Sequence, residues 1–232
     1  MALPKLTAPT YELDLPSTGK KVKFRPFLVK EQKLLMIAEE SKDDKQIAET
    51  VQKLIGSCTY GKVDALISPL FDVEYVFLQL RMRSVGGNVD ISVVCPDDEK
   101  TEVSIKINLE DVNVLNDEKH TNIVNVTDTI KMVMKYPQLS DIQSMKNTAE
   151  NLFSLLMKCI TEVHDGDTIH NRADINDKEL TEFIDSFNTK QLENLMKFFE
   201  TMPKVRHIVS VKNPKTKVTS EVVLEGMETF LV

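Results

Sequence analysis

The stretch from Phe24 to Leu35 constrains the fold of this chain more than any other part of its sequence. Alternating apolar and polar residues over 11–15 and 22–24, with a turn between them, predict a short β-hairpin before it. Pro26 blocks continuation of the second strand, and a helix is predicted from about residue 30 to residue 40. One side of this helix is apolar and carries Leu34, Leu35 and Ala38, whereas Lys30, Lys33 and Glu40 lie away from it. Because nothing in the stretch is catalytic, it is interpreted as a docking element.

Composition limits the classes of protein to which the chain can belong. Its 232 residues suffice for one large domain or two small ones, and 41% of them are hydrophobic. A net charge of −7 argues against a general nucleic-acid binder, which would carry a basic surplus. Apolar runs such as 152–157 are far shorter than the roughly 20 residues that span a bilayer, and the first residues lack the apolar core of a secretory signal. The sequence therefore predicts a cytosolic protein or one released as part of a particle.

Periodicity along the rest of the chain predicts both helices and hairpins. Helical spacing recurs over 47–58, 72–84, 127–136, 141–160, 176–187 and 189–202. Strand-like alternation recurs over 89–93 with 103–109, and over 205–211 with 218–224, and each pair turns at a proline. The predicted fold is α+β, with a mainly helical body and small antiparallel β-hairpins attached. Two related helix-plus-hairpin halves are an open alternative.

The predicted domain organisation has two parts. Residues 1–111 would hold the first hairpin, the first helices and the Cys-Pro hairpin, and residues 127–232 would hold the C-terminal helices and the second hairpin. The polar segment 112–126 is predicted to link them.

The cysteines do not predict a disulfide or a metal site. Cys58, Cys95 and Cys159 are odd in number and widely spaced, so reduced and buried thiols are expected. Cys95-Pro96 begins like one arm of a zinc ribbon, but Asp98 stands where a second thiolate would be needed. Since the second hairpin has no cysteine, no bound zinc is expected.

The loop 164–171 is the other place where chemistry could occur. His164 and His170 flank two aspartates there, which is compatible either with a metal or general-base site or with an ordinary solvated loop. No pair of histidines has helical ligand spacing, and no nucleophile elbow or phosphate-binding glycine loop occurs. The chain is predicted not to be an enzyme and to need no cofactor. A metal-dependent enzyme or regulator that uses the 164–170 loop is a remote alternative.

Several blocks of sequence, taken in order, resemble the baseplate hub assembly proteins of T4-like tailed bacteriophages. The blocks are Tyr11 to Lys20, Phe24 to Glu31 with Lys33 to Leu35, and Phe71 to Leu78 with Leu80-Arg81 and Ser84 to Gly86, leading into Cys95-Pro96. The stretches 198–203 and 224–231 fit the C-terminal pattern of the family more loosely. Some members look as if they carry a Cys-Pro-x-Cys hairpin, and Asp98 departs from that pattern.

The resemblance implies a non-enzymatic protein that acts in assembly of the central baseplate hub, as an assembly chaperone working by protein–protein docking. A permanent structural hub subunit of the virion is the alternative. The expected partners are other hub or tail proteins rather than nucleic acid or membrane, with self-association left open. The expected location is the host cytoplasm during tail assembly, or the virion baseplate. The candidate partner-binding residues are Phe24, Arg25, Phe27, Leu34, Phe71, Tyr75 and Arg81.

Overall fold

The computed structural model describes residues 6–142, 149–226 and 229. Within these residues the chain forms seven α-helices and eleven β-strands, and the strands lie in four small antiparallel sheets. The predicted mainly helical body is therefore wrong, because the fold is an α+β mixture with about 39% helix and 29% strand. The described residues form two compact units, one from the segments up to 115 and from 204 onward, and one from 116–203.

Unit 1 is built from both ends of the chain. Its elements are β1 (Tyr11–Asp14), β2 (Lys21–Phe24), α1 (Val29–Ser41), α2 (Asp44–Cys58), α3 (Leu70–Val85), β3 (Asn88–Val94), β4 (Glu102–Asn108), β5 (Asn113–Leu115), β10 (Lys204–Lys212) and β11 (Thr219–Glu225). β1 pairs with β2, β3 pairs with β4, and β10 lies between β11 and β5 in a three-stranded sheet. The predicted hairpins are confirmed, with Ile91 opposite Ile105 in one and Val209 opposite Val222 in the other.

The two later hairpins of unit 1 share one hydrophobic core. Alternate residues of β3 are buried, and they join Leu78 of α3 and Val211 of β10 in a single cluster of buried side chains. Burial of one face of each hairpin is what their period-two patterns require. Both hairpins thus lie in the same unit.

The turns of these two hairpins also bind each other. Nδ2 of Asn213 donates to both carboxylate oxygens of Asp97, at 3.0 and 3.1 Å, and the Thr216 hydroxyl donates to the same carboxylate. Asp98 accepts the backbone N–H of Thr101 at 2.9 Å within its own turn. The acidic residues that follow Cys95-Pro96 therefore satisfy hydrogen-bond donors of the two turns.

Unit 2 is a four-stranded sheet with helices. Its elements are β6 (Ile123–Asn125), β7 (Ile130–Met134), α4 (Leu139–Ile142), α5 (Ala149–Cys159), β8 (Ile160–Asp165), β9 (Thr168–Asn171), α6 (Asp177–Asp185) and α7 (Thr189–Thr201). The sheet order is β6-β7-β8-β9, so each strand pairs with its neighbour along the chain. Its core contains Met132, Leu156, Leu180 and Leu195, each buried.

Two sequence predictions in unit 2 are wrong. The predicted helix over 127–136 contains strand β7 instead, because Met132 and Met134 are buried with a less buried residue between them. The Thr127 hydroxyl, predicted to cap that helix, accepts the backbone N–H of Ile130 in a tight turn at 2.9 Å. The predicted 164–171 loop is mostly the β8–β9 hairpin.

Other predictions fall partly outside the described residues. The predicted helix over 141–160 overlaps α4 and α5, and residues 143–148 between them lie outside the described part. The same holds for most of the residues beyond 226 in the 224–231 stretch.

The boundaries of the two units fall at 115/116 and 203/204. The first lies inside the predicted linker 112–126, which contains β5 and β6. The second was not predicted from the sequence. It depends on the pairing of Lys204 with Leu115, two residues of unit 1 that are separated along the chain by all the residues of unit 2. The division of the chain into two domains joined by residues 112–126 stays a prediction.

Candidate docking surface

The entry into α1 is fixed by a buried ion pair. Arg25 lies between strand β2 and helix α1, and its guanidinium donates to both carboxylate oxygens of Glu31, at 2.9 and 2.7 Å. The two side chains are 14% and 8% exposed. A two-point contact between a guanidinium and a carboxylate sets the orientation of both groups as well as their distance.

Further hydrogen bonds complete the surroundings of this pair. The Ser57 hydroxyl of α2 donates to Glu31 at 3.0 Å, and the backbone N–H of Leu28 donates to the same carboxylate at 2.6 Å. Glu31 therefore caps the first turn of α1, which has no side-chain hydrogen bond from its N-cap residue Leu28. The Arg25 contact, followed by these donors, lowers the pKa of Glu31 to about 2, although burial acts in the opposite direction.

The segment before α1 is also attached to the other two helices of unit 1. The backbone N–H of Arg25 donates to the carbonyl of Cys58 at 3.0 Å, and the backbone N–H of Phe27 donates to the Ser84 hydroxyl at 2.9 Å. At the other end of α3, the buried Asp72 accepts the backbone N–H of Ser17 at 3.0 Å and also accepts its hydroxyl. These contacts bring together the three N-terminal sequence blocks of the resemblance.

Helix α1 buries only a narrow side. Glu31, Leu35 and Ala38 are buried, at a spacing of one helical turn. The remaining apolar side chains are exposed to about half or more of their area: Val29 67%, Leu34 56%, Met36 51% and Ile37 55%. A soluble helix normally has polar residues on every side that faces water. The concentration of exposed apolar side chains on α1 therefore makes this surface the candidate docking surface of unit 1.

A groove runs between α1 and α2 on one flank of this surface. Its volume is about 480 Å³, and Leu34, Ile37 and Leu54 supply its apolar side chains. Lys30 and Lys53 line it as charged groups, together with Glu49, which lies 4.0 Å from Lys53. An apolar floor with a charged rim is the usual composition of a protein-binding groove.

A family model described as T4 bacteriophage base plate protein matches residues 8–232 of the chain. The chain belongs to this family. No curated protein and no solved structure matches it. Family membership assigns the chain to the phage tail baseplate and makes other baseplate proteins its partner class, without distinguishing a permanent subunit from an assembly chaperone. The family is structural rather than enzymatic.

The candidate partner-binding residues of this baseplate protein differ in their exposure. Leu34 lies on the exposed flank of α1. Phe24 of β2, Phe27 of the segment after it and Phe71 of α3 are buried within unit 1. Their part in binding a partner stays a prediction, and in this conformation it would be indirect.

The three remaining candidates are less deeply buried. Arg25 forms the ion pair with Glu31, and Tyr75 is half-buried on α3. Burial lowers the pKa of the Arg81 guanidinium, and the negative charge of Glu39 on α1 offsets only part of this effect. The sequence prediction missed Val29, Met36 and Ile37. The signal for them is the number of apolar residues in α1, which is larger than one buried side of the helix can hold.

The residues of the 164–170 loop do not converge on a metal site in the baseplate protein. His164 Nε2 lies 2.7 Å from a carboxylate oxygen of Glu162, and His170 borders a separate cleft with Asp165 and Glu179. Among the described residues, no three histidine, cysteine or acidic side chains are grouped so as to hold a metal ion. The three cysteines are free and buried. No helix in the described residues is both long enough and apolar enough to cross a membrane.

Proposed function

We propose that this baseplate protein is an assembly factor for the central hub of the tail baseplate, and that it acts as a chaperone by docking onto another hub protein. The observation that carries the proposal is the set of apolar side chains exposed on α1. In a free assembly factor such a surface is open to water, and in the complex it would be covered. The family resemblance of the 24–35 stretch supports the same element as the point of contact.

The α1–α2 groove is the proposed contact. Leu34 and Ile37 would enter a pocket or lie along a helix of the partner, because isolated apolar side chains on a rigid helix act as anchors. Lys30 and Lys53 at the rim would influence the orientation and the rate of docking more than its affinity. Arg25, Phe24 and Phe27 would support docking indirectly, since they hold α1 in place.

Co-purification tests this proposal. The protein would be expressed with the neighbouring tail proteins, as wild type and with Leu34→Glu plus Ile37→Glu. We expect a hub protein to co-purify with the wild type and to be lost from the variant. Ile208→Glu is the matched control, because Ile208 is equally exposed, at 53%, but lies on β10. Equal recovery with the wild type and the groove variant would contradict the groove as the docking site.

A permanent structural subunit of the hub is the second candidate function. The same exposed surface favours it, since a subunit also covers apolar groups on assembly. Mass spectrometry of purified virions separates the two functions. A chaperone should be absent from finished particles, whereas a subunit should be present in a fixed ratio to the other baseplate proteins.

A further inference from the structure

A second surface on α1 faces away from the body of unit 1. Val29, Lys33, Met36 and Glu40 are spaced by four, three and four residues, so they lie in one row along the helix. All four are exposed, and the row lies opposite the buried side formed by Glu31, Leu35 and Ala38. We call this row the outward stripe. It is separate from Leu34 and Ile37, which line the groove.

The exposed charges of α1 run in the reverse of the order that its own dipole favours, although the buried Glu31 lies in the first turn. The positive end of a helix dipole is its N-terminus, where acidic side chains stabilise the helix, and basic side chains stabilise its C-terminus. In α1 the exposed lysines Lys30 and Lys33 lie in the first half, and the last turn contains no basic residue. Neither Lys33 nor Glu40 forms an ion pair with any of the described residues. The outward stripe thus holds two opposite charges that the folded chain leaves unmatched.

We propose that the outward stripe binds the outward stripe of a second copy of this chain, with the two helices antiparallel about a twofold axis. Antiparallel pairing places Lys33 of each copy opposite Glu40 of the other, so that two Lys33–Glu40 ion pairs form across the axis. The twofold axis passes next to Met36, which packs against Met36 of the second copy. Each lysine-rich first half also lies beside the C-terminal half of the opposing helix, where the dipole favours positive charge.

A second copy fits this surface better than an unrelated partner because the stripe is complementary to itself when it is reversed. A twofold interface requires this property, since one patch must bind the same patch on the other copy. The row from Val29 to Glu40 is about 17 Å long, so this contact alone buries less than the roughly 1,200 Å² of a stable interface. The dimer should therefore form in a concentration-dependent manner. The contact goes beyond the proposed hub docking and leaves the α1–α2 groove open.

A charge-exchange experiment tests the proposal on the full chain. Sedimentation equilibrium would compare the wild type, Lys33→Glu, Glu40→Lys and the double variant. Each single change places two pairs of like charges across the axis, so we expect the dimer dissociation constant to rise about tenfold. The double variant restores opposite charges and should return the dissociation constant to within about threefold of the wild type. Lys190→Glu, on an exposed position of α7, is the matched control and should leave it unchanged.

Two outcomes of that experiment would overturn the proposal. One is a wild type that stays monomeric at millimolar concentration. The other is a double variant that associates as weakly as the single variants, which would mean that Lys33 and Glu40 do not face each other across an axis. Circular dichroism of each variant shows whether it has folded. Either outcome leaves the hub-docking proposal intact, because that proposal is tested with groove variants and another protein.

Disulfide cross-linking tests the antiparallel direction independently. In the proposed dimer, Met36→Cys places two thiols beside the axis, whereas Val29→Cys places them about 20 Å apart, beyond the reach of a disulfide. We expect mild oxidation to cross-link the Met36→Cys variant and to leave the Val29→Cys variant monomeric. The native cysteines are buried, so the wild type is a suitable blank. Cross-linking of Val29→Cys as readily as Met36→Cys would contradict the antiparallel arrangement.

Discussion

Helices α1 and α7 have the same length, 13 residues, but present opposite kinds of surface to water. The outer side of α7 is polar, with Lys190, Glu193 and Lys197 exposed, and its apolar side is covered within unit 2. The outer sides of α1 carry four apolar residues that unit 1 leaves exposed. Helix α7 is thus complete within its own unit, whereas α1 has the composition of a helix that is covered only in an assembly.

The two helices also differ in how they are held. Helix α7 is anchored by the buried apolar residues Leu195 and Phe198, and it begins with a reciprocal capping box between Asn188 and Gln191. Helix α1 has a narrow buried side, and the Arg25–Glu31 ion pair fixes its start. Because most apolar side chains of α1 are exposed, few of them pack within unit 1. The Arg25–Glu31 ion pair therefore contributes to the position of α1 what apolar packing contributes for α7.

The largest expected effect comes from removing one member of that ion pair. Glu31→Ala leaves the Arg25 guanidinium mostly buried without its counter-charge, and we expect a loss of about 3–5 kcal/mol in the free energy of unfolding, measured with urea. Glu182→Ala is the control, because its pair with Lys178 on α6 is exposed and should change stability by less than about 0.5 kcal/mol. A similar small loss for both variants would show that α1 does not depend on the ion pair.

Acid should weaken unit 1 through the same carboxylate. The folded-state pKa of Glu31 is about 2 against an ordinary value of 4.5, so its stabilisation is complete above pH 4.5 and is lost as the pH falls through 2. We expect this loss to reach about 3 kcal/mol. Other carboxylates titrate in the same range, so the quantity to measure is the difference in unfolding free energy between the wild type and Glu31→Gln. That difference should shrink as the pH falls from 5 to 2, and a constant difference would contradict the assignment.

A smaller effect is expected at the start of α7. The Asn188 side chain accepts the backbone N–H of Gln191 at 3.0 Å, and Asn188→Ala should cost about 1 kcal/mol, measured by urea denaturation. Leu28, the corresponding residue of α1, makes no such bond, so Leu28→Ala should cost less at the helix start. Equal losses for the two variants would remove this distinction between the helices.

The smallest effect on stability is expected on the outer side of α1. Ile37→Gln should change the unfolding free energy by less than about 0.5 kcal/mol, because the side chain is 55% exposed in the free protein. Leu195→Gln on α7 buries an amide in the core and should cost several times more. Differential scanning calorimetry compares the two. A large loss for Ile37→Gln would mean that this side of α1 is already covered in the free protein.

The sequence predicted elements with strong local patterns. The first three helices and the three hairpins at 11–24, 89–109 and 205–224 follow from apolar spacing and from prolines at their turns. Strand β7 was mistaken for a helix because Thr127 and Pro137 frame the segment like helix ends. The alternation of Met132 and Met134 indicates a strand instead. Burial of both side chains in the core of unit 2 stabilises the strand over the helix.

The site itself was predicted only in part. The sequence pointed to α1 and named Leu34, which the structure leaves exposed, but it could not show that Phe24 and Phe27 are buried. The pairing of Arg25 with Glu31 depends on the change of chain direction at Pro26, which no periodicity describes. The C-terminal strands belong to unit 1 through a strand pairing between residues 115 and 204. Such long-range contacts leave no local pattern in the sequence.

Hydrogen–deuterium exchange of α1 tests the central claim most directly. Exchange would be measured for the free protein and for the protein bound to a hub protein recovered by co-purification. The account predicts strong added protection over residues 28–41 in the complex and none over 189–201, because α1 leaves four apolar side chains exposed whereas the apolar side of α7 is covered within unit 2. Protection of α7 with no change in α1 would contradict it.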